Sequence, residues 1–401
     1  MKVCLVNDTS DDPNWGARAT SWALRELIRE AGGHVTSTLY QYRIGLPQRD
    51  DIVDGRADDE VSGEIDDIAP TCWREFEECA LSVMDGAAFP VIGKALTDCD
   101  VVLINGEGCI YDRTRQSRMI FFIAYLARRF FDKPTALVNH SIVMNDPILT
   151  DIARHVYPLL DDIVFREPDS ARACPVRLGR VAADAAYRYR PEAVERWWPP
   201  TAAANGQSRP QLEGTFDPHR PYACVGGGSV YFRDLKPGYD AIPGLVRLCR
   251  QLQARVGQVL LTASSAKDLR LLEPVAERLA LPMAGAELPV QTAVNLIGNA
   301  RVYVGARWHP SIFAHRGGTP VIALSRHTPK MNAFLRQAGL PTSELDPFAL
   351  EEQLDEVMAR VDGQLAVGEP LREGLKAKAE GLGDTVDENV RLLTSRLAAC
   401  S

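Results

Sequence analysis

The chain has 401 residues, of which 46% are hydrophobic and 24% charged, with a formal net charge of −8. These proportions exclude disordered, collagen-like and coiled-coil chains, and the length predicts about two or three domains. The acidic balance argues against non-specific nucleic-acid binding, which needs a basic surface. Nine cysteines without a C-x-x-C pair argue against a disulfide framework or a cysteine zinc site and suit a reducing cytoplasm.

Residues 3–6 read as a first strand rather than a secretory signal. A helix is predicted over 19–31, with Trp22, Leu24, Leu27 and Ile28 on its apolar face. Residues 50–67 carry nine acidic side chains and read as a solvated loop or insertion. A strand at 101–104 leads through a Gly-containing loop to a helix at 117–131. The apolar run 119–127 is too short for a membrane span, which takes about 20 residues. Further short strands fall at 135–138, 163–165 and 180–182.

The pattern breaks over 188–221, which holds six prolines and the pair Trp197-Trp198, and reads as a linker. Alternation then resumes: strands at 222–225, 258–262, 302–304 and 321–324, with helices at 242–254, 269–279 and from Pro310. A final helix over 371–399 is long enough to reach back across the first domain. Buried apolar strands separated by helices indicate parallel sheets, hence a doubly wound α/β fold. Two Rossmann-like domains are expected, 1–187 and 222–401, joined by the linker 188–221.

Ligands of open α/β sheets bind beyond the carboxyl ends of the strands. The residues there are Asn14 and Gly16, Asn105 and Glu107, Arg166, Gly227, Gly228 and Ser229, Ser265, Arg307 and His309, and Lys330. Their recurrence at one edge in both halves points to a cleft between the domains. The glycines at 226–228 also suit a turn that needs positive φ. From Leu288 to Ser343 there is no Asp or Glu, while Arg301, Arg307, Arg316, Arg326, Lys330 and Arg336 fall in the same window. Such a field suits an anionic substrate, and a helix beginning near Pro310 would aim free N–H groups at it. His309 is the leading proton-transfer candidate and His140 the next, with His315 and His327 as bystanders. Asp98 and Asp100 have D-x-D spacing but precede their strand, the wrong end for the cleft, so no metal site is expected.

The run at 14–16, Asp-Val-Val-Leu-Ile-Asn-Gly-Glu-Gly at 100–108, Phe-Arg-Glu-Pro-Asp-Ser at 165–170, Asp184-Ala-Ala-Tyr187, and Gly-Ala-Arg-Trp-His at 305–309 with Lys330 beyond resemble the polysaccharide pyruvyl transferase family. The resemblance implies a GT-B-like pair of Rossmann domains facing across a cleft, the first on the acceptor side and the second on the phosphoenolpyruvate side. It implies that Arg166, Arg307, His309 and Lys330 bind or process phosphoenolpyruvate, a co-substrate, with no further cofactor or metal. A sugar acceptor, nucleotide- or lipid-linked, is implied as partner. The setting is cytoplasmic synthesis of cell-envelope or exopolysaccharide, compatible with peripheral membrane association. The alternative is a GT-B glycosyltransferase with a nucleotide-sugar donor. Such enzymes commonly hold the ribose with a Glu, and the acid-free window weighs against it.

Overall fold

The computed structural model describes residues 1–41, 68–198, 212, 215–233, 238–326 and 329–400. The acidic segment 50–67, residues 199–211 and 213–214 of the predicted linker, and His327 lie outside the described residues.

Two compact units are present. Unit 1 comprises Met1–Asp12, Thr20–Ala185 and Thr385–Ser401, and unit 2 comprises Pro13–Ala19 and Ala186–Asp384. Unit 1 is built on six strands: β1 (Lys2–Asp8), β2 (His34–Tyr40), β3 (Val101–Tyr111), β4 (Thr135–Val143), β5 (Asp162–Phe165) and β6 (Arg180–Val181). They pair in parallel in the order β2-β1-β3-β4-β5-β6. Apolar runs such as Val101–Ile104 are buried because helices cover both faces of a parallel sheet. Unit 2 is built on β7 (Tyr222–Gly226), β8 (Gln258–Thr262), β9 (Met283–Ala284), β10 (Val302–Gly305) and β11 (Val321–Ala323). Their order is β11-β10-β7-β8-β9, again parallel. The chain winds outward from β7 through β8 to β9, then crosses to β10 on the other side. The β7/β10 seam is therefore the topological switch point, as β1/β3 is in unit 1.

Several elements differ from the sequence-based expectation. Strands β3 and β4 run past their apolar stretches, carrying residues 105–108 and 139–140 inside the sheet rather than in loops. Their pairing continues to Tyr111↔Val143, across an irregularity after Glu107. The first helix begins at Trp15, not 19, and Trp22 is exposed over Arg25 while Leu24, Leu27 and Ile28 are buried. The predicted helix 371–399 is broken into Glu369–Gly383, a 3-10 turn Val386–Val390 and Arg391–Cys400. Its last part is tied into unit 1: the Ala183 N–H donates to Thr385 Oγ1 at 2.9 Å, and Arg180 Nη1 to Glu388 Oε2 at 2.5 Å. No helix of the described residues is long and apolar enough to cross a membrane.

Candidate functional site

In unit 2 the strand ends deliver a compact polar cluster to the β7/β10 seam. Gly227 and Gly228 follow β7 and are buried. None of Gly226, Gly227 and Gly228 has positive φ. The expected positive-φ role gives way to a different one, close approach. A Cβ at Gly226 would overlap the Tyr303 hydroxyl, one at Gly227 the Asp268 carboxylate, and one at Gly228 would come within 2.7 Å of Ala306. The Ala306 N–H donates to the Gly227 carbonyl at 3.1 Å, stitching the two loops of the seam together.

Arg307 occupies the N-cap position of the helix Trp308–Arg316, and His309 lies in its first turn, 8% exposed. Ser265 caps the neighbouring helix Ala266–Leu279, accepting from the Asp268 N–H. Two helices thus start beyond the ends of β10 and β8, the strands that flank β7 on either side, each presenting the positive end of its dipole. Arg307 is held by Asp268: Nη2 donates to Oδ1 at 2.8 Å, and Nε shares its proton between Oδ2 at 3.1 Å and Oδ1 at 3.2 Å. The same Nη2 reaches Ser265 Oγ at 3.0 Å.

The segment Pro13–Ala19 belongs to this unit and completes the cluster. Asn14 Oδ1 accepts from the Gly16 N–H at 2.8 Å, starting the first helix, and the Trp15 N–H donates to the Ser264 carbonyl at 3.3 Å. Gly16 lies flat against His309, so a Cβ there would overlap the imidazole ring. Arg18 Nη2 anchors the segment on the Leu288 carbonyl at 3.0 Å. Ser229 and Lys330 are half-buried, the latter in the first turn of the helix Pro329–Ala338 that follows β11.

The acid-free window is answered by acids and carbonyls from elsewhere. Asp268 takes Arg307, Glu369 takes Arg301 at 3.3 Å, and Arg316 donates to the Tyr189 and Ala379 carbonyls. Arg326 and Asp346 approach to 3.7 Å. The local field is therefore weaker than the count of cations predicts.

Unit 1 holds Asn105, Glu107 and Arg166. Asn105 is fully buried in an amide ladder across the β1/β3 seam and on to β4. Gln116 donates to Asn7 Oδ1 at 2.8 Å, Asn7 to the Asn105 carbonyl at 2.6 Å, and Asn139 to Asn105 Oδ1 at 3.1 Å. Asn7, Glu107 and Asn139 all take positive φ at these strand ends, a strained backbone of the kind that gathers at functional sites. Arg166 is 1% exposed, with Nη1 on Asp184 Oδ2 at 2.9 Å and Nε on Ser141 Oγ at 2.8 Å.

His140 is not at a free ligand edge as expected. Its Nδ1 bonds the Val164 carbonyl at 2.9 Å, its Nε2 bonds the Tyr157 hydroxyl at 3.1 Å, and burial pulls its pKa down to about 3. His315 is likewise buried, bonded through Nδ1 to the Tyr187 hydroxyl at 2.9 Å and pulled down by burial to about 3. Asp98 and Asp100 serve the start of β3, on Lys94 and on the Lys2 N–H. Among the described residues no three His, Cys, Asp or Glu side chains converge to hold a metal. Asp268 is the residue that sequence reasoning missed. Its signal is Ser265-x-x-Asp268 directly after a strand, the spacing of a capping box.

The family model for polysaccharide pyruvyl transferase matches residues 14–328. No curated protein matches the chain in sequence. Among solved structures, UDP-GlcNAc 2-epimerase from Neisseria meningitidis is similar at 12% identity and TM-score 0.55, with 98% of this chain and 100% of that chain covered. A putative UDP-N-acetylglucosamine 2-epimerase from Listeria monocytogenes gives 12% identity and TM-score 0.56 over 98% and 94%. At that identity the likeness speaks for the fold, two parallel sheets with helices in the GT-B manner.

Proposed function

Because the chain belongs to the polysaccharide pyruvyl transferase family, we propose that it transfers the enolpyruvyl carbons of phosphoenolpyruvate to a sugar as a cyclic ketal, with release of phosphate. The observation that carries this reading is the placement of Arg307 and His309 at one helix start on the switch point of unit 2.

Phosphoenolpyruvate bears a carboxylate and a phosphate on one enol carbon, so it needs directed donors within a few ångströms of each other. Arg307 meets an anionic group through the N–H groups that Asp268 leaves unused, and the two helix starts donate to the other. His309 gives a proton to the methylene carbon, leaving oxocarbenium character on the carbon that bears the phosphate. One sugar hydroxyl adds to that carbon and loses its proton. Phosphate departs with the electrons of its C–O bond, eased by Lys330. A second hydroxyl of the same sugar closes the ketal. In unit 1, Arg166 is the residue that the family resemblance assigns to phosphoenolpyruvate, and its charge is shared with Asp184. Phosphoenolpyruvate is a co-substrate, and the scheme calls on no further cofactor or metal. A phosphoenolpyruvate donor implies a cytoplasmic reaction, on an acceptor carried by a nucleotide or by a lipid at the membrane surface.

The test is a mass-spectrometric screen of nucleotide-linked, lipid-linked and free sugars with phosphoenolpyruvate. Gain of pyruvate less water on an acceptor, matched by phosphate release, is expected. Nucleoside diphosphate release from a nucleotide sugar, with phosphoenolpyruvate untouched, would replace this reading with a glycosyltransferase.

A further inference from the structure

We propose that Asp268 is the positioning residue for Arg307, fixing the plane of its guanidinium and deciding which N–H groups face the substrate. The inference rests on the reading of Arg307 as an anion clamp.

Asp268 is fully buried, and its carboxylate is saturated. Beyond its bonds to Arg307, Oδ2 accepts from the Ser264 N–H at 3.1 Å and from Ser264 Oγ at 2.8 Å. Its backbone is pinned by the Ser265 cap at 3.3 Å. The space it fills exists because residue 227 is glycine, since a Cβ there would overlap the carboxylate. Three separate constraints therefore place this one group, and it in turn consumes the Nε and Nη2 donors of Arg307.

What remains of the fork is Nη1, which has no hydrogen-bond partner among the described residues, on a side chain 16% exposed. The pair is close to neutral, so its service to an anionic substrate is orientation more than attraction. A planar guanidinium held along one edge presents its other N–H groups in a fixed direction, which a lysine ammonium cannot do. The arrangement also keeps the guanidinium ordered before substrate arrives, when a free arginine would sample many rotamers.

The experiment compares the wild type with Asp268→Asn, Gly227→Ala, Arg307→Ala and the double variant Asp268→Asn/Arg307→Ala. Steady-state phosphate release from phosphoenolpyruvate is the first readout. The second, free of substrate, is 15N NMR of the Arg307 guanidinium, where rotation about Nε–Cζ is slow when both donors are held. Asp268→Asn should lower kcat/KM for phosphoenolpyruvate by about 10²-fold, the scale of an ångström-level misplacement. It should also speed the guanidinium rotation. The double variant should be no worse than Arg307→Ala alone, because Asp268 acts through Arg307. Gly227→Ala, which keeps the charge but displaces it, should reproduce both effects in a chain whose net charge is unchanged. Multiplying penalties in the double variant, or wild-type kinetics and slow rotation in Asp268→Asn, would overturn the proposal. A wild type inert toward phosphoenolpyruvate whose Arg307 signal still responds to Asp268→Asn would remove the functional reading and uphold the positioning.

Discussion

Gly16→Ala is the smallest substitution that separates the proton-transfer role of His309 from simple binding. The methyl group would sit inside the imidazole ring, closest to Nδ1, so the ring has to retreat. Its freedom is limited, because His309 is 8% exposed on a short helix whose nine residues are all buried. A displacement of about 1 Å in a group that must reach one carbon of the substrate costs roughly 10²-fold in rate. Overpacking adds a stability loss of about 1–3 kcal/mol. The phosphoenolpyruvate contacts assigned to Arg307 do not involve residue 16, so kcat should fall while KM for phosphoenolpyruvate changes little. Phosphate release gives both constants, and a thermal melt confirms that the variant is folded at assay temperature. Gly363→Ala is the control: it lies exposed in the helix Leu354–Val367 with nothing within 4 Å of the new Cβ. A folded Gly16→Ala enzyme with wild-type kcat would refute the assignment of chemistry to the His309 ring in this position.

His309→Ala should lower kcat by about 10²–10⁴-fold, the range of a general acid, whereas Arg307→Ala should also raise KM for phosphoenolpyruvate. Steady-state kinetics on the two variants decide it, and equal effects on both constants in both variants would contradict the division of labour. Acid should destabilise the fold through His140 and His315, which burial holds near 3 in the native state against about 6.5 unfolded. The unfolded chain takes up these protons first, so stability is full above about pH 6.5 and falls by roughly 4 kcal/mol by pH 5. A denaturant midpoint that stays flat over that window would show the two rings to be accessible. Replacing Gly363, Gly374 and Gly381 together by Ala should raise stability by about 0.5–1 kcal/mol each, since all three sit in helices with open space at the Cβ. An unchanged melting temperature would show those helices frayed.

Much of unit 2's edge was legible because strand ends are marked by a change from apolar to polar residues. Val302 to Gly305 followed by Arg307 and His309 has that form, and both residues stand at the helix start. Asp268 is hard to read from sequence because its partner is 39 residues away and it lies outside the acid-free window that carries the cations. Polar residues inside buried strands misled in unit 1. Asn105, Asn139 and His140 look like loop residues in sequence, yet the Asn105 and Asn139 side chains bond each other, the Ser21 hydroxyl and the Ala185 N–H, and His140 bonds the Val164 carbonyl and the Tyr157 hydroxyl. The tripeptide at 14–16 was visible as a motif, but its reason was not. Gly16 is small because an imidazole from nearly three hundred residues later occupies the space of its side chain.

The most direct test of the central claim is turnover of phosphoenolpyruvate with an accepted sugar in deuterium oxide. If His309 delivers a solvent-derived proton to the methylene carbon, the ketal methyl should carry one deuterium and one phosphate should appear per ketal formed. His309→Ala should suppress product and deuterium together. A product methyl without deuterium, or phosphate release unmatched by ketal, would contradict proton-initiated transfer of the enolpyruvyl group.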